Sequence, residues 1–396
     1  MADGILLVLN AGSSSVKFRI AETNGRALYE GAISGIGSNP AFKLKDGAGK
    51  AVPLDLAPER IDEHEDALDL LLEIAARFLP DRPILAAGHR VVHGGLEFAE
   101  PVLVDEGVLT RLEAFVPLAP LHQPHNLAAI RALARLRPDL PQVACFDTAF
   151  HVGQDRIARL FGLPRALIDE GVFRYGFHGL SYQAIAGRMP AVMGKAAEGK
   201  VIVAHLGNGC SLCAMDGRRS VATTMGFTAL DGLVMGTRSG TLDPGVVLYL
   251  LEQKGYSPAR INDLLYRESG LLGVSGLSND MRDLLASDLP AAREAVALFV
   301  HRIQREIGSL MMALGGLDAL VFTAGIGENA APVRALVLAG LGFLGTRLDP
   351  AANDAGGPCL TTAESRIAAY VMPTDEEAVI VAETLRQLPA RPNSPQ

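Results

Sequence analysis

The chain has 396 residues, 49% of them hydrophobic, which is enough for two or three globular domains with sizeable cores. Its formal net charge of −8 argues against nucleic acid or an anionic membrane as the main partner, because both require a field of positive charge. An anionic ligand must then be gripped by individually placed arginines and backbone amides, and four cysteines are too few for a disulfide framework and fit a reducing compartment.

The N-terminal "MADGILLVLN" carries an aspartate where a signal peptide is basic, and no stretch reaches a membrane-spanning length, so a cytosolic protein is expected. Residues 5–9 read as an apolar strand, 10–15 ("NAGSSS") as a small polar turn, and 16–20 as the returning strand. An amphipathic helix follows over 66–79, then strand "ILAAGHRVVHGG", helix "NLAAIRALARLRP" and strand "QVACFDT". From about residue 150 the pattern starts afresh. Residues 201–219 repeat the first hairpin in outline, which suggests a duplicated α/β protein.

The second half is helix-rich. Asp243, Pro244 and Gly255 punctuate one helix, "SPARINDLLYRESG" repeats the device, and a longer periodic helix spans roughly 290–314. Strand "ALVFTAG", a further helix, strand "AAYVMP" and helix "EEAVIVAETLRQL" close the chain, with "PARPNSPQ" expected as a loose tail.

Two motifs are decoys. "GKAAEGK" at 194–200 fits GxxxxGK, but Val201 stands where the metal-binding hydroxyl belongs and the run precedes a strand, so a solvated turn is expected. "GIGENA" at 325–330 sits between a strand and a helix like a dinucleotide fingerprint, yet such a turn serves phosphate or adenosine equally well. Cys210 and Cys213 form a CxxC that lacks a second pair of ligands, and they read as packing residues in a strand.

Three glycine-rich turns, 10–15, 207–211 and 325–329, each close a buried strand, an arrangement suited to gripping a polyphosphate. Lys17 is placed in an apolar returning strand, where burial without a partner is costly. Arg90, Asp147, His178 and Arg238 lie beside glycine or apolar residues at strand ends. Together they supply the cations and the carboxylate that phosphoryl transfer requires.

"VLNAGSSSVKF", "GHRVVHGG", "FDTAFH", "YGFHGLSY", "HLGNGCS", "MGTRSGTLDP", "FTAGIGEN" and "PTDEEAVI", in this order, resemble the acetate kinase family from about residue 5 to 385. The resemblance implies an α/β, two-lobed, duplicated actin/hexokinase-like (ribonuclease H-like) fold with an interlobe cleft. The lobes are expected at 1–149 plus 380–396 and at 150–379. It also implies ATP-dependent phosphorylation of acetate or propionate, magnesium (or manganese) as cofactor, and a homodimer.

Carried over by position, Asp147 matches the catalytic acidic residue, His178 and Arg238 the transition-state stabilisers, and Arg90 the substrate-binding arginine. Asn10 and Glu376 match the metal-associated positions. Lys17, His205, Leu206, Gly207, Asn208 and Gly209 match ATP-binding positions, as do Asp280, Met281 and Arg282, and Gly325, Ile326, Gly327, Glu328 and Asn329. Val92, Leu121, Phe177 and Ala229 fall where the family lines its acyl pocket. Three positions depart from the common pattern: Asp375, expected to make the metal shell more negative, Gln123 where Asn is common, and Ala229 in place of a frequent proline. A carboxylate substrate has a pKa of roughly 4.3 and has no proton for a base to remove at neutral pH, so Asp147 is expected to order magnesium or the arginines.

Overall fold

The structure, a computed structural model, describes residues 4–53 and 61–388; the tail expected at 389–396 lies outside the described residues. The N-terminal apolar stretch is strand β1 (Ile5–Ala11), which returns antiparallel as β2 (Ser15–Glu22), β3 (Ala27–Ser34) and β4 (Ala41–Asp46). On its other side β1 pairs in parallel with β5 (Ile84–Val91). The short β6 (Val102–Leu103) and then β7 (Gln142–Phe146) complete a sheet of order β4-β3-β2-β1-β5-β7-β6. A parallel central strand is covered on both faces, which is why β1 is apolar from Ile5 to Leu9 instead of alternating.

Helices His64–Phe78 and Gln123–Leu136 cover the face that bears Ile5, Leu7 and Leu9. Helix Glu376–Gln387 packs against β5, where Gly88 leaves room for it: a Cβ at 88 would lie 2.5 Å from Ile380 and 2.3 Å from Thr384.

A second sheet follows: β8 (Lys200–Leu206), β9 (Cys210–Asp216), β10 (Arg219–Thr223), β11 (Ala319–Thr323) and β12 (Ala368–Val371), in the order β10-β9-β8-β11-β12. The first three strands are antiparallel, and β8, β11 and β12 are parallel. This repeats β3-β2-β1-β5-β7, so the duplication legible in the two hairpins extends to five strands. Tyr182, Ile185, Met189 and Met193 of helix Gly179–Met193 bury one face of this sheet with Val201 and Val203. The long helix spans Pro290–Leu314 and stops at Gly315, whose φ of 67° is left-handed.

The chain divides into two compact units, Met1–Ala149 with Asp375–Gln396, and Phe150–Thr374. The last crossing falls at Asp375 and not at 380. The physical reason is local: the Asp375 carboxylate caps helix Glu376–Gln387 by accepting from Ala378 N, and Arg19 of β2 donates to it at 2.7 Å. The glycine-rich stretch at 325–329 is not a turn but part of a short helix, Ala324–Asn329, entered directly from β11. "GKAAEGK" is mostly a 3₁₀ helix, Gly194–Glu198, that leads into β8.

Candidate active site

In the first unit, charge gathers where β1, β5 and β7 end. Asp147 follows the last residue of β7, is 1% exposed, and receives Arg90 as a fork, with Nη2 donating to Oδ2 at 2.6 Å and Nε to Oδ1 and Oδ2 at 3.2 and 3.1 Å. The other arm of the guanidinium, Nη1, donates to Asn10 Oδ1 at 3.3 Å, and the Glu376 carboxylate lies 4.0 Å from Nε. Bidentate pairing fixes the plane of the guanidinium as well as its position.

Burial opposes the charge on Arg90, but Asp147 and Glu376 more than offset it and hold the guanidinium charged well above its ordinary range. The same burial, with Asp147 and Glu377 as neighbours, pushes the Glu376 carboxyl up to about 7, while Arg90 and Lys17 pull the other way. Lys17 is across the ladder from Asn10 and is exposed: β2 alternates, and its even positions face the core while Lys17 faces out. The lysine expected to pay a burial penalty therefore does not. The Asp375 carboxylate is engaged through Oδ1, which accepts from Arg19 Nη1 and from Ala378 N at the helix cap.

In the second unit, the turn from β8 to β9 is the meeting point. A Cβ at Gly209 would lie 3.2 Å from His178 Nε2, a tight contact, and 3.8 Å from Arg238 Nη1, an ordinary one, so the turn approaches both side chains. His178 adopts a left-handed conformation with φ 60°, uncommon for a residue with a side chain and typical of functional sites. Its Nδ1 shares a hydrogen bond of 2.8 Å with Ser211 Oγ, and its ring stacks on His205 at 4.2 Å. His205 Nδ1 in turn shares one of 2.8 Å with Ser181 Oγ. Arg238 Nη1 donates to the carbonyl of Ala229 at 3.0 Å, so the backbone at 229 anchors the arginine.

Beside this turn lies a cavity of about 530 Å³, within the usual range for small-molecule sites. Gly207, Asn208, Asp280, Met281, Arg282, Gly325, Ile326 and Asn329, all expected for nucleotide, line it. Asn279, Leu285, Ala330 and Pro332 also line it and were not foreseen. They carry no distinctive sequence signal, being an ordinary amide and three apolar residues beside the motifs.

Leu206, Gly209, Gly327 and Glu328 are outside the lining: Leu206 is buried as the end of β8, and the Glu328 carboxylate accepts from Ala324 N and Thr374 N, which locks the strand-to-helix joint. His205 supports the turn and does not line the cavity. Val92 is buried and Leu121 partly buried in the first unit; Phe177 is buried in the second, and its carbonyl accepts from His151 Nε2.

Among the described residues no three or more His, Cys, Asp or Glu side chains gather as a metal cage. Magnesium keeps several waters and takes one or two carboxylates together with substrate phosphates, so a site built on Glu376 and Asn10 fits it.

A core of three antiparallel and two parallel strands occurring twice, with an ion-paired site on one copy and a nucleotide-sized cavity on the other, defines a phosphotransferase of the duplicated ribonuclease H-like class. The model of the acetokinase family matches residues 5–382. An acetate kinase from Rhodopseudomonas palustris is 55% identical over 96% of this chain and 98% of its own length. Among solved structures, a propionate kinase from Francisella tularensis superposes with TM-score 0.91 at 36% identity over 97% of this chain and 100% of that one. An acetate kinase from Porphyromonas gingivalis gives 0.88 at 35% identity, covering 97% and 99%. The chain belongs to the acetokinase family and is a kinase.

Proposed function

We propose that the chain transfers the terminal phosphoryl group of ATP directly, in line, to a carboxylate oxygen of acetate, giving acetyl phosphate and ADP, and that the reaction runs in both directions. The observation that carries this is the Arg90 guanidinium, held flat by a buried Asp147 and by Asn10 at the ends of three strands. A planar cation so fixed suits a carboxylate or a transferring phosphoryl group. Asp147 acts by organising Arg90, which agrees with a substrate that needs no base.

Adenosine and phosphates occupy the cavity beside Gly207 and Asn208. Arg238 and His178 neutralise charge on the transferring group with Arg90, each such charge-directed bond contributing roughly 1.5–3 kcal/mol. Val92, Leu121, Phe177 and Ala229 close on the methyl group. Lys17, free to move in solvent, reaches the phosphates. Asn10 and Glu376 hold magnesium, or manganese in its place, and the metal when bound neutralises charge on the phosphate oxygens.

The chain forms a homodimer through helix Pro244–Glu252, which has no buried residue and exposes Leu248 (55%) and Tyr249 (49%). A reducing cytosol suits its four free cysteines, three of them buried, with burial pushing the Cys210 and Cys213 thiols up to about 12. No helix among the described residues is long and apolar enough to cross a membrane.

A hydroxamate assay with ATP and acetate, propionate or butyrate in parallel tests the reading. Acyl phosphate is expected fastest with acetate. No product with any acid would refute the assignment, and a preference for propionate would favour the activity named for the Francisella structure, with the smaller Ala229 as its structural reason.

A further inference from the structure

The register of β1 on β5 ends at Leu9 opposite His89. Past that point the strands carry Asn10, Arg90 and Val92 but share no ladder hydrogen bonds, and a parted strand end would ordinarily be the loosest part of a sheet. Here the gap is filled by a side chain. Asn126, 3% exposed in the first turns of helix Gln123–Leu136, donates from Nδ2 to the Ala11 carbonyl at 2.7 Å and accepts from Val92 N at Oδ1 at 3.0 Å. A carboxamide offers the donor and acceptor of a peptide unit, so Asn126 stands in for one residue of a strand between the two.

Gln123, one turn earlier and fully buried, extends the same device. Its Oε1 accepts from His93 N at 3.1 Å, and its Nε2 donates to the carbonyls of His93 and Leu112 at 2.9 and 3.2 Å. The next two amides are held likewise, Gly94 N by Thr148 Oγ1 and Gly95 N by His93 Nδ1, each at 3.0 Å. Four successive backbone amides outside the ladder thus end on buried side chains, a satisfied buried network of the kind that rigidifies a segment.

We infer that Asn126 and Gln123 are positioning residues that set the gap between Asn10 and Arg90 and the depth of Val92, and thereby govern which short carboxylate the site accepts. The inference rests on the reading that Arg90 and Val92 meet the carboxylate substrate. A buried donor or acceptor left unmatched typically weakens an equilibrium by roughly fivefold to a hundredfold.

The test measures KM for acetate, propionate and ATP in Asn126→Asp, which keeps an acceptor for Val92 N and loses the donor to Ala11, and in Gln123→Asn, which shortens the second brace by one methylene. The expected result is a rise of about fivefold to a hundredfold in the KM for acetate with Asn126→Asp, and in both variants a change of at least threefold in the acetate-to-propionate ratio of kcat/KM. The KM for ATP stays within about twofold, a split that a merely misfolded fraction does not produce.

Unchanged acetate KM and ratio in either variant, or loss of kcat alone, would overturn the inference. Val92→Ala, run alongside, separates the causes. If it too leaves selectivity unchanged, the substrate reading has failed and the inference falls with it; if it shifts selectivity while the two amide variants do not, only the brace is wrong. Should Asn126→Asp fail to fold, Gln123→Asn decides alone.

Discussion

The two units share a five-stranded core and differ in what stands at its strand ends. In the first, β1, β5 and β7 end near Asn10, Arg90 and Asp147, a buried carboxylate paired to a partly buried guanidinium that an amide also holds. In the second, β8 and β11 end in Gly207–Gly209 and in helix Ala324–Asn329, which present backbone and small side chains around a cavity. One copy of the fold thus presents a fixed guanidinium and the other a cavity of about 530 Å³. The framework is the same, and the chemistry is decided by a few residues past each strand.

That contrast is sharpened by variants that should damage one half alone. Arg90→Ala strands a buried Asp147 and removes the planar cation, so kcat/KM for acetate should fall on the order of a hundredfold or more while ATP binding, followed by calorimetry, is retained. Equal loss of ATP affinity would erase the division of labour.

Acid should weaken both units together. Burial lowers the pKa of His89 and His93 in the first unit and of His151 in the second from 6.5 to about 4. Each is neutral in the folded chain and protonates more readily when unfolded. Their contribution is complete above 6.5 and is lost as pH falls toward 4, on the order of 1–3 kcal/mol each. Urea midpoints that do not move between pH 7 and 4.5 would contradict this.

Gly209→Ala presses a Cβ toward His178 and should lower kcat about tenfold with the acetate KM unchanged, the mirror image of the Arg90 variant. An acetate KM that rises instead would place Gly209 in the wrong half. The smallest effect belongs to the proposed dimer: Leu248→Lys should shift the chain toward monomer in light scattering, with monomer activity reduced less than twofold. A dimer that persists would move the interface elsewhere.

Much of this architecture was legible because its signals are local. The β1–β2 hairpin announces itself by an unbroken apolar run and a serine turn. Helix Pro244–Glu252 starts where Asp243 caps it, its side chain accepting from Gly245 N, and the 290–314 helix ends at its glycine. Strands β3 and β4 went unread, since most of β3 is only half-buried and β4 lies at the sheet edge with mixed polar residues.

At the site, Arg90 and Asp147 stood out as charges beside glycine and apolar neighbours. Their pairing with each other, with Asn10 and near Glu376 did not, because contacts across 57, 80 and more than 280 residues leave no trace in spacing. The bracing role of Asn126 and Gln123 was not legible either: two amides at the start of an amphipathic helix look like its wet face, and here both are buried. Residues 325–329 misled because a glycine-rich stretch reads as a turn, while the Glu328 carboxylate on Ala324 N makes it helical.

The proposed function requires Arg90 and Arg238 to act on one phosphoryl group. A crystal structure with MgADP, acetate and aluminium fluoride as a phosphoryl mimic tests it most directly. Arg90 and Arg238 should both lie within hydrogen-bond distance of the mimic, with acetate on its far side from ADP. A mimic that either arginine fails to reach would contradict the proposal.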